Sequence, residues 1–119
     1  LIIEPAGGLA VPITRKLLQI ELLAQWKLPV VLCAKTELGT INHSLLSIEA
    51  LKRRAIPILG IAFIGEENTD SQRTICEMGG VRNLGRLPYL SPLTLDALHG
   101  AFAENFQVAD ILGLGASGP

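Results

Sequence analysis

The sequence lacks the features that mark extracellular, membrane-spanning or nucleic-acid-binding proteins. Its 10 lysines and arginines are offset by 11 aspartates and glutamates, so there is no basic surplus to favour nucleic acid or an anionic membrane. No signal peptide is visible and no apolar run approaches the ~20 residues of a membrane-spanning helix, which predicts a cytoplasmic protein without membrane partners. Only two cysteines occur, Cys33 and Cys76. They show no metal-ligand spacing, and both are predicted to be reduced core thiols.

What the sequence does contain is an alternation of apolar runs and amphipathic stretches. Hydrophobic residues make up 49% of the 119 residues, enough for one domain with a modest core. Strands are predicted at 1–3, 29–34, 57–64 and 81–87, and helices at 14–26, 40–54, 70–78 and 91–106. This order predicts an α/β fold, a three-layer arrangement of a parallel sheet with flanking helices. Such sheets bind ligands at the carboxyl ends of their strands, where the loops begin at Glu4, Lys35, Gly65 and Pro88.

Capping residues mark the ends of two predicted helices. Asp70 is predicted to cap the third helix and Gly79 to stop it. Ser91 is predicted to cap the last helix, with Pro92 at its first position.

The first three residues, Leu1-Ile2-Ile3, have the composition of a buried strand. Natural chains rarely begin with an uncovered core strand, because its unpaired edge and apolar face need neighbours. We therefore expect the chain to be the C-terminal portion of a longer protein. Residues 1–106 are predicted to belong to the folded domain, and residues 107–119 to form a flexible tail.

The loop after the first predicted strand contains Glu4, followed by Ala6, Gly7 and Gly8. A carboxylate at the carboxyl end of a strand is well placed to hold Mg²⁺, which prefers oxygen ligands. The glycines allow a phosphate or a substrate to approach the backbone. The alternative is a tight turn with a solvated glutamate.

A second candidate site is the helix start in "LGTINH". Thr40 can cap this helix, and Gly39 leaves room for another molecule near the N–H groups of the first turn. These groups and the helix dipole favour an anion, such as a carboxylate or a phosphate. The alternative is ordinary capping. His43 has no evident partner and is expected to be a structural hydrogen bonder.

A third candidate is "GRLPYL", Gly85 to Leu90, which follows a predicted strand. Tyr89 offers a flat ring face and a hydroxyl group, which suit the wall of a nucleotide base pocket.

Taken in order, "EPAGGLAVP", "LPVVLCAKTELGTINHSLLSIEALKRRAIPILGIAF" and "GRLPYL" resemble the C-terminal half of dethiobiotin synthetase. The resemblance extends from Leu1 to about Phe106, and "LGTINHSLLSIEAL" is its most specific part. It implies a P-loop NTPase-type fold, a homodimer, and an ATP- and Mg²⁺-dependent ligase of biotin biosynthesis. The implied reaction carboxylates 7,8-diaminopelargonate with CO2 or bicarbonate and closes the cyclic urea of dethiobiotin.

The resemblance also implies roles for individual residues. Glu4 matches a Mg²⁺-binding glutamate, and the residues matching its nucleotide-adjacent loop are Pro5, Ala6 and Gly7. The helix start that binds the substrate carboxylate across the dimer interface corresponds to Gly39, Thr40, Ile41 and Asn42. The adenine pocket corresponds to Gly65, Pro88, Tyr89 and Leu90. Two departures are Ile64, where the family usually has asparagine, and Pro5, where glycine is common.

The 119 residues contain no GxxxxGK[ST] motif. The family's catalytic lysine and first Mg²⁺-binding aspartate are also absent, so these residues are expected to bind parts of the ligands without catalysing the reaction alone. Two alternatives stay open. One is a truncated, noncatalytic remnant that dimerises or binds a partner. The other is a related P-loop ATPase of the partitioning or cobyrinate amidase type, which shares the sheet but not "GTINH".

Overall fold

A computed structural model describes residues 1–113 of the chain. Its elements, in chain order, are β1 (Pro12–Thr14), β2 (Leu17–Leu18), α1 (Gln19–Trp26), β3 (Val30–Lys35), α2 (Thr40–Arg53), β4 (Ile58–Ile64), α3 (Thr69–Gly79), β5 (Asn83–Leu87), α4 (Leu95–Asn105) and α5 (Val108–Leu112). No helix in this range is both long and apolar enough to cross a membrane.

The main sheet has the strand order β3-β4-β5, and both pairings are parallel. Helix α2 connects β3 to β4 and helix α3 connects β4 to β5, as parallel neighbours require. The predicted α/β class, a parallel sheet with flanking helices, is confirmed. A separate antiparallel hairpin, β1-β2, precedes α1.

The apolar residues form two buried clusters. One joins β3 and β4 to α2 and α3 and contains Ala34, Ile48, Ile61, Phe63 and Ile75. The other lies where α1 meets the end of α2 and contains Ile20, Leu51 and Ile56. Strand β4 is buried along its centre because it has a strand on either side, which accounts for its continuous apolar sequence.

Helices α2 and α3 pack closely at the C-terminal end of α3. The Nζ atom of Lys52 donates hydrogen bonds to the carbonyl oxygens of Gly79, at 2.6 Å, and Gly80, at 3.3 Å. A Cβ atom added at Gly79 would lie 2.7 Å from Cδ1 of Ile48. The lysine thus satisfies carbonyl groups that the end of a helix leaves without intrahelical partners.

Two predictions for the first part of the chain are wrong. Residues 1–3 form no strand and are exposed, since no strand of the described sheet pairs with them. The predicted helix over 14–26 begins only at Gln19, because the preceding residues form the β1-β2 hairpin. The apolar pair Leu17–Leu18 fits either structure, and here it is half-buried in the strand.

The predicted caps are also displaced. Helix α3 is capped by Asn68, whose side chain accepts a hydrogen bond from the Ser71 N–H at 3.1 Å; its last residue is Gly79, and Gly80 is the C-cap. Helix α4 is capped by Thr94, whose Oγ1 accepts from the Ala97 N–H at 3.1 Å. In each case several residue types suited to capping lie close together, and the sequence alone does not choose among them.

The segment predicted to be a flexible tail begins with structure. Residues Val108–Leu112 form α5, and Asp110 pairs with the guanidinium of Arg82 at 2.8 Å. Only the part of the predicted tail at 114–119 lies outside the described residues.

Candidate functional site

The loops that follow β3, β4 and β5 start side by side at one edge of the sheet. Lys35 pairs with Ile64, and Ile64 with Leu87, so the strands end in register. The N–H of Thr36 then donates to the carbonyl of Ile64 at 3.1 Å, and the N–H of Gly65 donates to the carbonyl of Leu87 at 3.0 Å. The register therefore brings together segments that are far apart in sequence.

Gly65 lies at the centre of this edge. Its φ is +127°, and a Cβ atom added there would lie 2.6 Å from Oγ1 of Thr36 and 3.3 Å from the ring of Tyr89. Its carbonyl oxygen accepts a hydrogen bond from Nη1 of Arg86 at 2.8 Å. A glycine is needed here because both the backbone conformation and the space exclude a side chain.

Tyr89 connects the loop after β5 to the segment before α2. Its hydroxyl donates to Oε1 of Glu37 at 2.8 Å, across 52 residues of sequence. This hydrogen bond raises the pKa of Tyr89 above its ordinary value, with smaller contributions from desolvation and from the carboxylates of Glu37 and Glu66. Tyr89 is 55% exposed, so part of its side chain stays accessible to a ligand.

The start of α2 differs from the predicted cap. Gly39, with φ +92°, is the N-cap, and no side chain of the described residues caps this end. Thr40 is instead the first residue of the helix, and its Oγ1 lies 3.4 Å from Oγ of Ser44. A helix start without a side-chain cap keeps N–H groups available for an anion.

A half-open cleft of about 380 Å³ lies between β3 and the first half of α2. Its lining residues are Leu32, Cys33, Ala34, Lys35, Glu37, Leu38, Thr40, His43, Ser44 and Ser47. His43, expected to be structural, is exposed and lines this cleft. Its place one turn after the helix start was the sole sequence signal for this position.

The prediction that Cys33 is a core thiol is wrong, and Cys76 is only half-buried. Cys33 is exposed because it lies on the face of β3 opposite to Ala34, which packs in the core, and because β3 has a neighbouring strand on one side only among the described residues. Partial desolvation within the cleft, followed by the carboxylate of Glu4, raises the pKa of the Cys33 thiol.

Glu4 fits a Mg²⁺ site only as a single ligand. Within residues 1–113, no group of three or more histidine, cysteine, aspartate or glutamate side chains could hold a metal ion. Mg²⁺ bound with a nucleotide commonly uses one or two carboxylates, with phosphates and water completing its octahedron. The exposed carboxylate of Glu4 suits that pattern, and the remaining ligands would have to come from a nucleotide, water or other residues.

The predicted site residues fall into two groups. The register and the hydrogen bonds above bring Gly65 and Tyr89 close to the segment that leads into Gly39 and Thr40. The other group is the segment from Glu4 through Gly7. In the described part of the chain no hydrogen bond joins this segment to the sheet edge, although Gly7 does adopt a positive φ of +79°.

Comparison with known proteins identifies the family. A family model described as an AAA domain matches residues 1–96. The chain belongs to this family. With the parallel sheet, this match confirms the predicted P-loop NTPase-type fold class.

Curated relatives confirm the resemblance to dethiobiotin synthetase. The chain is 63% identical over 112 residues to the ATP-dependent dethiobiotin synthetase BioD of Rhodopseudomonas palustris (strain BisB5), covering 94% of the chain and 53% of that protein. It is 64% identical over 110 residues to the protein of the same name from Afipia carboxidovorans, covering 92% of the chain and 52% of that protein. The chain thus spans about half the length of the curated relatives it matches.

Proposed function

We propose that the complete gene product containing this chain is an ATP- and Mg²⁺-dependent dethiobiotin synthetase. In this reaction one amine of 7,8-diaminopelargonate attacks CO2 and loses a proton to give a carbamate. A carbamate oxygen then attacks the γ-phosphorus of ATP and ADP leaves. The second amine attacks the activated carbonyl carbon, phosphate leaves, and the ureido ring of dethiobiotin is closed.

The observation that carries the proposal is the start of α2 beside the cleft. A helix start without a side-chain cap attracts a carboxylate through its N–H groups and its dipole. The cleft of about 380 Å³ next to it could accommodate a small aliphatic substrate. We assign the substrate carboxylate to Gly39, Thr40, Ile41 and Asn42.

The nucleotide is assigned to the adjacent part of the sheet edge. The exposed part of the Tyr89 side chain and the close-packed backbone at Gly65 suit a flat adenine ring, with Pro88 and Leu90 beside it. Glu4 would hold Mg²⁺, which when bound would offset the negative charge of the phosphates, and Pro5 to Gly7 would lie next to the nucleotide.

The described residues offer little positive charge for a triphosphate. Among the residues that line the cleft, Lys35 is the one with a basic side chain. Arg86, at the same edge of the sheet, is already hydrogen-bonded to the Gly65 carbonyl. Since the 119 residues lack a GxxxxGK[ST] motif, phosphoryl transfer requires a phosphate loop and a catalytic lysine from outside them. We therefore expect the 119 residues alone to be inactive.

We further propose a cytoplasmic homodimer in which the partner subunit covers the start of α2. Two apolar side chains near this helix start, Leu38 and Leu46, are 106% and 57% exposed, which supports a protein surface packing there.

The test is turnover by the complete gene product. Incubation with 7,8-diaminopelargonate, bicarbonate, ATP and Mg²⁺ is expected to yield dethiobiotin, detected by mass spectrometry, together with ADP and phosphate. Omission of any one component, or removal of Mg²⁺ with a chelator, should abolish the product. ATP hydrolysis stimulated by a different substrate would favour the partitioning or amidase type of ATPase. Absence of both turnover and nucleotide binding would favour a noncatalytic binding module.

A further inference from the structure

We propose that the hydrogen bond between Tyr89 and Glu37 couples nucleotide binding to substrate binding. The inference rests on the proposed function, because it assigns one end of this bond to the adenine pocket and the other to the substrate site. Tyr89 and Glu37 are then positioning residues: each transmits the presence of one ligand to the segment that binds the other.

Glu37 is connected in two directions. Its side chain accepts the hydrogen bond from the Tyr89 hydroxyl at 2.8 Å, and its backbone carbonyl accepts from the N–H of Thr40 at 3.1 Å. Thr40 is the first residue of α2. A movement of the Tyr89 hydroxyl is therefore transmitted through Glu37 to the first turn of α2, where the N–H groups that follow Thr40, those of Ile41 and Asn42, are assigned to the substrate carboxylate.

The segment from Glu37 to Gly39 is exposed to solvent, so a ligand that contacts it can restrict its conformations. Glu37 and Leu38 are exposed, and Gly39 adopts a φ of +92° that few other residues tolerate. Fixing such a segment for a ligand has an entropic cost. A ligand that has already ordered the segment removes that cost for the second ligand, which produces positive cooperativity.

The Tyr89 end of the hydrogen bond is anchored more firmly than the Glu37 end. Gly65 is buried, its N–H donates to Leu87, and the ring of Tyr89 lies against it. An adenine ring stacked on Tyr89 would restrain the phenol further, so that its hydroxyl holds Glu37 in one position. By reciprocity, a carboxylate bound at the start of α2 would favour the same position of Glu37 and so strengthen nucleotide binding by the same factor.

The experiment measures this factor directly. Isothermal titration calorimetry on the complete gene product gives the Kd of adenylyl imidodiphosphate with Mg²⁺, with and without saturating 7,8-diaminopelargonate. The wild-type Kd is expected to fall about fivefold or more when the substrate is present. In Tyr89→Phe the ratio should fall towards one, whatever happens to the individual Kd values.

Two further variants make the result specific. Glu37→Ala should reduce the ratio as much as Tyr89→Phe, and the double variant should show no additional loss, since both remove the same bond. Glu66→Gln is the matched control: its carboxylate is close enough to affect the Tyr89 pKa but is not its hydrogen-bond partner. The ratio in Glu66→Gln should stay at the wild-type value.

The outcomes separate the inference from the function on which it rests. A wild-type protein that binds both ligands with a ratio near one overturns the coupling and leaves the proposed function standing. A wild-type ratio that Tyr89→Phe leaves intact, or that Glu66→Gln lowers equally, also overturns it. A wild-type protein that binds neither ligand overturns both.

Discussion

A single methyl group added at position 65 tests how tightly the ligand edge of the sheet is closed. In Gly65→Ala the new Cβ would lie 2.6 Å from Oγ1 of Thr36 and 3.3 Å from the ring of Tyr89, so Thr36 or the backbone must shift. Overpacking of this kind costs about 1–3 kcal/mol. A non-glycine residue at φ +127° adds strain of about 1–3 kcal/mol. We expect the free energy of unfolding to fall by about 2–6 kcal/mol, the sum of the two contributions.

The assay is equilibrium urea denaturation of the complete gene product, followed by circular dichroism. Gly100→Ala is the matched control, because Gly100 lies within α4 and nothing lies within 4 Å of an added Cβ. There the same substitution should stabilise by about 0.5–1 kcal/mol through helix propensity. The two variants are therefore expected to differ in sign.

A second variant separates the two contributions at position 65. Thr36→Ala removes the hydroxyl that the new methyl group would meet. In the double variant Thr36→Ala/Gly65→Ala, the loss of unfolding free energy that comes from overpacking should thus disappear. The double variant should be more stable than the sum of the two single effects by about 1 kcal/mol or more. The backbone strain should persist in the double variant. A Gly65→Ala protein as stable as wild type, or strictly additive effects with Thr36→Ala, would refute the reasoning.

Three further predictions concern the site and the core. Gly39→Val should raise the KM for 7,8-diaminopelargonate more than the KM for ATP. Gly39→Ala is the control for backbone strain at φ +92°. Equal effects on the two KM values would contradict the assignment of this helix start to the substrate. The phenol of Tyr89 should titrate above its ordinary pKa in a wild-type minus Tyr89→Phe absorbance difference. Because the neutral phenol donates the hydrogen bond to Glu37, this bond should persist as pH rises and be lost only when pH passes the raised pKa of Tyr89. A titration midpoint in Glu37→Gln equal to that of wild type would disprove that the bond raises this pKa. Phe63→Ala should lower the free energy of unfolding by about 3–5 kcal/mol, since Phe63 is fully buried. Leu93→Ala, at an exposed position, should change it by less than about 0.5 kcal/mol in the same urea titration.

The parts of the fold that were predicted correctly have a local signal. Helix α2 was predicted at 40–54 and spans Thr40–Arg53, because its apolar residues recur at helical spacing over several turns. Strands β3 and β4 were predicted from short apolar runs rich in β-branched residues. The β1-β2 hairpin was missed because Leu17 and Leu18 suit a strand and a helix equally, and only their packing decides.

The candidate site was predictable as a set of positions but not as an arrangement. The rule that parallel sheets bind ligands at their carboxyl ends placed the loops after β3, β4 and β5 together. Nothing local indicated that Tyr89 would reach Glu37, or that Thr36 would face Gly65, since these contacts depend on strand register. The prediction that Cys33 is buried was wrong for a similar reason: an apolar run does not reveal whether its strand lies at the edge of a sheet.

The close contact between α2 and α3 also constrains how this domain can change over evolutionary time. Gly79 leaves only 2.7 Å between a new Cβ and Cδ1 of Ile48, which is itself 1% exposed. Alanine at position 79 therefore requires Ile48 to move its terminal methyl group, and valine at position 48, which lacks Cδ1, removes that conflict. Alanine at 79 is thus expected to be tolerated better beside valine than beside isoleucine at 48, so the two positions are expected to vary together.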